Sequence, residues 1–188
     1  MKKVIALLMV LLPFLASAQS FVLTPDGFKN SEDESKNFIV VPMEGTQTEL
    51  YNRAKTAVTI MWNSPKDVMS YNEPEIIVVN GFSSGDLFIK TIGITNYFDF
   101  NYRLQIQFKE GRIRIDAPSV DKATIPGKDY ELYFCGGKGG SMGKVNYVFD
   151  QNGKLKQGKV KEQAEKYFNA LVGTLIDKMK NGASSEDW

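Results

Sequence analysis

Asn101-Tyr102-Arg103-Leu104-Gln105-Ile106-Gln107-Phe108-Lys109-Glu110-Gly111-Arg112-Ile113-Arg114-Ile115-Asp116-Ala117 is the stretch on which the fold turns. Tyr102, Leu104, Ile106 and Phe108 alternate with polar residues, and Ile113 and Ile115 do the same after Glu110-Gly111. A period of two places one set of side chains on each face of a strand, and a two-residue turn containing glycine joins two such strands into a hairpin. That register sets Phe108 against Ile113 and Ile106 against Ile115 on a core face. The opposite face then carries Lys109 against Arg112, Gln107 against Arg114 and Gln105 against Asp116, so this is an antiparallel sheet with one buried and one polar side.

Working toward the N-terminus, Asp86 to Thr95 and Pro74 to Asn80 read as two further strands, the second rich in β-branched residues through Ile76-Ile77-Val78-Val79 and ended by Gly81. Thr46-Gln47-Thr48-Glu49 has the spacing of a capping box, in which the threonine oxygen and the glutamate carboxylate each satisfy a free backbone N–H. A helix is expected from there, with Leu50, Ala54, Ala57, Val58 and Met61 along one face and Asn63-Ser64-Pro65 stopping it. Phe38-Ile39-Val40-Val41 is a short continuous apolar run and reads as a central strand buried on both faces. Residues 19–36, with Pro25-Asp26-Gly27 and the acids Glu32, Asp33 and Glu34, read as a lead-in segment.

Toward the C-terminus, residues 118–157 form a loop-rich insertion, with apolar patches at Tyr130–Phe134 and Val145–Phe149 flanking a glycine-rich loop at 136–143; a hairpin is one reading of it. From Lys159 to Lys180 the residues Val160, Ala164, Phe168, Leu171, Val172, Leu175 and Met179 trace a helical stripe. Gly182 to Trp188 has no periodicity and is expected to be a flexible tail. The expectation is one α+β domain over 37–181: a two-layer, mainly antiparallel sheet with two helices on one face, in the order β-α-β-β-β-β-α.

The first eighteen residues are of a different kind. Lys2-Lys3, the apolar run Val4–Leu15 and Ala16-Ser17-Ala18 have the charge, apolar and small-residue order of a cleavable signal peptide. Twelve apolar residues span only about 18 Å as a helix, short of a hydrocarbon core about 30 Å thick, so the chain is expected to be exported to the periplasm or cell surface and not to span a membrane. Loss of the two lysines lowers Lys plus Arg from 23 to 21 against 22 Asp plus Glu, a net charge of −1. That balance lacks the basic excess of a nucleic-acid binder.

Histidine is absent, which removes imidazole bases, Ser-His-Asp and Cys-His nucleophile systems and the commonest zinc ligand. Cys135 is the sole cysteine, so no intrachain disulfide forms; a nearby Lys138 would activate the thiol, whereas burial would quiet it. The glycine-rich loop ends in Gly143-Lys144, but Lys138 and Val145 stand where a phosphate-binding loop needs glycine and Ser or Thr. No metal site and no cofactor is indicated. Glu73, Glu75, Asp86, Asp99 and Asp116 lie near strand ends and are candidates for a carboxylate pair, although no spacing singles out two of them.

Three motifs together carry a resemblance: Glu49-Leu50-Tyr51-Asn52-Arg53-Ala54 at the first helix, Lys109-Glu110-Gly111-Arg112-Ile113-Arg114 at the hairpin, and the signal peptide ahead of the domain. With the element order over residues 36–117, they resemble the exported bacterial family called domain of unknown function 4468, described as having a TBP-like fold. The resemblance implies that fold and an exported location; it implies no catalytic residue, because function resides in sites carried on folds.

What remains is the polar face. Lys109 opposite Arg112 is a like-charge pair that weakens a sheet unless an acid or a bound anion offsets it, and Arg114 and Arg103 share that face. Arg103, Lys109, Arg112 and Arg114 are therefore the candidate binding residues, for an acidic envelope protein or an anionic glycan. The bland alternative is that Asp116, Asp99 or a lead-in carboxylate neutralises them. A non-enzymatic binding domain of the bacterial envelope is favoured over a carboxylate-based glycan hydrolase.

Overall fold

The strictly alternating stretch forms the hairpin its pattern requires, and in the expected register. The computed structural model describes residues 19–136 and 145–181. The signal peptide, the glycine-rich loop beyond Gly136, Lys138 and the 182–188 tail lie outside the described residues. The strands are β1 (Phe21–Thr24), β2 (Gly27–Asn30), β3 (Phe38–Pro42), β4 (Met69–Asn72), β5 (Ile76–Thr91), β6 (Ile94–Lys109), β7 (Arg112–Asp116), β8 (Lys122–Thr124), β9 (Glu131–Tyr133) and β10 (Val145–Tyr147). The helices are α1 (Gln47–Met61), the single turn α2 (Pro65–Val68) and α3 (Gly158–Asn181).

One eight-stranded sheet runs β10-β9-β8-β6-β5-β4, and β7 with β3 outside it pairs along the C-terminal half of β6. All of its ladders are antiparallel except β9 with β10. The strand β6 thus serves two neighbours on one edge, β8 at Asp99-Phe100 and β7 from Ile106 to Lys109. This splits the sheet and curls it. The architecture is α+β, with α1 and α3 packed on each other and on the inner face of β5 and β6.

Local chemistry explains both long helices. Thr46 Oγ1 accepts from Glu49 N at 3.3 Å while Glu49 Oε2 accepts from Thr46 N at 2.8 Å, which is the capping box in full. Leu50, Tyr51, Ala54, Ala57 and Val58 are buried on the resulting stripe. In α3 the buried positions are Val160, Ala164, Phe168, Val172, Leu175 and Met179, at steps of three and four. Phe168 meets Phe28, Phe100 and Tyr102 edge-on at 5.0, 6.0 and 5.4 Å, the arrangement that ring quadrupoles favour.

Four placements differ from the sequence reading. The run Phe38–Val41 is an edge strand, not a central one: β3 pairs with β7 alone, and within Phe38–Val41 only Ile39 is buried. Its outer edge is covered by side chains, Gln19 Oε1 accepting from Val40 N at 2.9 Å. The lead-in forms the hairpin β1–β2, whose Phe21, Leu23 and Phe28 join the core, and Asn169 of α3 bonds both N and O of Phe21. Pro74–Asn80 and the first part of Asp86–Thr95 fuse into the single strand β5, bulged between Ser84 and Leu87, and the turn falls at Ile92-Gly93, which puts Thr95 in β6. The insertion supplies three short sheet strands, and its two apolar patches pair in parallel, which no hairpin permits.

Candidate functional site

The outward face of the β6–β7 hairpin is built on a rigid corner. Met43 N donates to Gly111 O at 3.0 Å, Gly111 N donates to Gly45 O at 3.0 Å, and Gln47 Nε2 donates to Phe108 O at 3.0 Å. The turn is thereby tied to the connection between β3 and α1. Gly111 holds φ +75°, a left-handed conformation that glycine alone adopts freely.

On this corner Lys109 and Arg112 are register partners, both exposed. Neither makes an ion pair among the described residues. Beside them Val40, Gln107 and Arg114 complete the wall of a shallow groove of about 250 Å3. Arg114 is held differently: its Nε donates to Asp116 Oδ1 at 2.6 Å, and its guanidinium lies 3.9 Å from the centre of the Phe38 ring. Asp116 Oδ2 also accepts from Gln105 Nε2 at 2.8 Å and from Gln107 Nε2 at 3.1 Å. One carboxylate thus neutralises Arg114 and leaves the Lys109–Arg112 pair uncompensated.

The structure brings Lys109, Arg112 and Arg114 together in one groove and keeps Arg103 out of it. Arg103 stands opposite Asn80 and six residues up β6 from Lys109, about 20 Å away along the strand. Val40 as a groove residue and Phe38 as the ring beside Arg114 were not legible, because only the β3–β7 pairing carries them there. The signal that pointed to Asp116 was its place two residues beyond Arg114 on the same face.

The carboxylates do not converge. Glu73 and Glu75 border the β4–β5 turn, where Asn72 Nδ2 donates to Glu75 Oε2 at 3.1 Å. Asp86 sits in the β5 bulge and accepts from the inward-facing Ser83 at 2.5 Å, whereas Asp99 accepts from the outward-facing Ser84 at 2.8 Å. These two acids serve opposite sides of the sheet. Among the described residues no group of His, Cys, Asp and Glu has the grouping needed to hold a metal ion. Cys135 is half-buried, its Sγ 3.6 Å from Thr24 O, and burial pushes its thiol above the ordinary range, away from the reactive thiolate. Among the described residues no helix is long and apolar enough to cross a membrane.

No family model and no curated protein matches the sequence. Similarity is found in three dimensions. A crystallised DUF4468 family protein from Bacteroides ovatus superposes with a TM-score of 0.46 at 10% identity, over 80% of this chain and 89% of that one. A crystallised TBP-like protein from Parabacteroides distasonis superposes with a TM-score of 0.53 at 13% identity, over 77% of this chain and 91% of that one. At that identity the likeness concerns architecture alone, and with the split antiparallel sheet backed by two packed helices it gives this chain the TBP-like fold.

Proposed function

We propose that this protein is an exported, non-enzymatic binding domain of the bacterial envelope, and that it meets an acidic protein or anionic glycan through the groove at Lys109, Arg112 and Arg114. The observation that carries the reading is the Lys109–Arg112 pair. Two cations directly opposite in an antiparallel ladder repel each other, and a sheet gains nothing from that arrangement by itself. An arriving anion removes the repulsion and gains charge-assisted hydrogen bonds from both side chains. The guanidinium of Arg114, already oriented by Asp116 and Phe38, offers a third donor group without first losing side-chain freedom.

Heparin serves as an anionic probe and dextran as its neutral counterpart. Retention on heparin that falls steeply with salt, and that drops about tenfold in affinity when Lys109 and Arg112 are both replaced by Ser, supports the reading. Equal binding by the double variant, or equal binding to dextran, would remove it.

A further inference from the structure

The two longest strands outrun the core. Leu87 and Phe98 are the last register pair of β5 and β6 buried on both sides. Beyond them the hairpin continues through Phe88 with Tyr97, Ile89 with Asn96, Lys90 with Thr95 and Thr91 with Ile94. An arm that stands beyond its core is ordinarily polar on both faces, since its side chains have nothing apolar to cover. This arm instead carries Phe88, Ile89, Ile92, Ile94 and Tyr97 among its polar residues, and of these Ile89 packs back against the core. Ile92, at the turn, is 103% exposed, Ile94 59% and Tyr97 55%. The Phe88 ring lies 5.8 Å from that of Tyr97, and Lys90 Nζ stands 5.3 Å from the centre of the Phe88 ring. Scattered exposed apolar residues are common on any protein, but a cluster at the free end of a hairpin marks an interaction surface.

The surrounding charge selects the partner. Between the base of the arm and the start of α3 lies a cleft of about 630 Å3 whose walls carry Lys90, Lys156, Lys159 and Lys166 against the single carboxylate Glu162. Lys156 pairs with Asp150 at 3.3 Å. The other three lysines make no ion pair among the described residues. Lysine ammoniums on long flexible stems suit a plane of phosphates better than one fixed acid. Isoleucines at the apex, a tyrosine behind them and lysines at the base follow the order in which a bilayer presents hydrocarbon, interface and headgroup.

We propose that the tip of the β5–β6 hairpin docks this protein on an anionic lipid surface, with Ile92 and Ile94 entering the acyl boundary and Lys90, Lys159 and Lys166 engaging headgroup phosphates. The Lys109–Arg112 groove lies at the other end of β6, about 50 Å away along the strand, so the two surfaces are independent and this inference does not rest on the function proposed above.

The test uses the chain from Gln19 onward, which contains every described element, with vesicles of phosphatidylcholine alone or mixed with phosphatidylglycerol. The expected result is co-sedimentation with the mixed vesicles only. Ile92→Ser with Ile94→Ser should weaken partitioning by about tenfold or more with unchanged thermal melting, because both side chains are already in solvent. Gln at Lys90, Lys159 and Lys166 should weaken it similarly and flatten its salt dependence. Absence of sedimentation with anionic vesicles overturns the proposal, as does undiminished binding by the isoleucine variant. Loss of a dimer in sedimentation velocity on the isoleucine substitutions, with vesicle binding unaltered, overturns it by assigning the tip to a second copy of the chain.

Discussion

Gly81 on β5 and Tyr102 on β6 are register partners, and the tyrosine ring fills the space that any side chain at 81 would need: a Cβ there would lie 2.1 Å from Tyr102 Cζ. The ring is not free to yield, because Tyr167, Phe168 and Phe100 surround it at centroid distances of 5.9, 5.4 and 6.2 Å. Gly81→Ala is therefore expected to destabilise the fold by about 2 kcal/mol. Urea unfolding measures this, and in a double-mutant cycle Tyr102→Leu should recover much of the loss. A Gly81→Ala protein as stable as the parent would show that the ring is loosely held.

Tyr51 is fully buried on α1, packed edge-on against Phe108 at 5.6 Å, and its hydroxyl has no hydrogen-bond partner among the described residues. Burial, with a smaller contribution from Glu73, pushes that hydroxyl above the ordinary tyrosine range. An unsatisfied buried hydroxyl costs more than it returns, so Tyr51→Phe should leave the free energy of unfolding unchanged or raise it by about 1 kcal/mol, read from urea unfolding. Clear destabilisation would mean that the hydroxyl has a partner after all.

Arg112→Glu replaces a repulsive cross-strand pair by an attractive one. The variant is expected to gain about 0.5 kcal/mol of stability while losing affinity for heparin. Opposite signs for the two effects, read from chemical unfolding and salt-gradient elution, distinguish a site held for binding from a residue that only solvates the surface.

The β8–β9 pair should weaken in acid. Glu131 accepts from Lys122 Nζ and from Tyr133 OH, the latter at 2.9 Å, and these bonds, the lysine's first, hold its carboxyl below the usual glutamate range. A carboxyl whose pKa falls on folding contributes stability above its ordinary value of 4.5, and that contribution is lost as pH drops through the folded value. Lys122, raised by the same contact, keeps its contribution below the ordinary lysine value and loses it only in strong alkali. Amide exchange at Ala123 and Leu132 should therefore quicken in the parent, beyond the intrinsic trend, as pH falls below the ordinary glutamate value, and Glu131→Gln should abolish that extra dependence.

The candidate site was half legible in the sequence. The turn at Glu110-Gly111 and the strict alternation around it set Lys109 opposite Arg112, and the structure repeats that register. Arg103 shares their face, yet face alone says nothing about distance along a strand. The tip at Ile92 was hidden for a related reason. Asp86 to Thr95 has the composition of an ordinary buried strand, and nothing in it records that the helices covering β5 stop short of Ile92.

Sequence by itself determined the features that close within a few residues: the capping box at Thr46, the stripes of α1 and α3, and the inner and outer faces of the β6–β7 hairpin. Each rests on hydrogen bonds or side-chain periods that repeat locally. Only the tertiary structure decided that Phe38–Pro42 lies at an edge, that the 19–36 segment packs a hairpin under α3, that Asp116 spends its charge on Arg114, and that the end of β5 and β6 stands in solvent. Those outcomes depend on which distant strands become neighbours, and a strand's own pattern specifies which face is buried but not what will lie beside it.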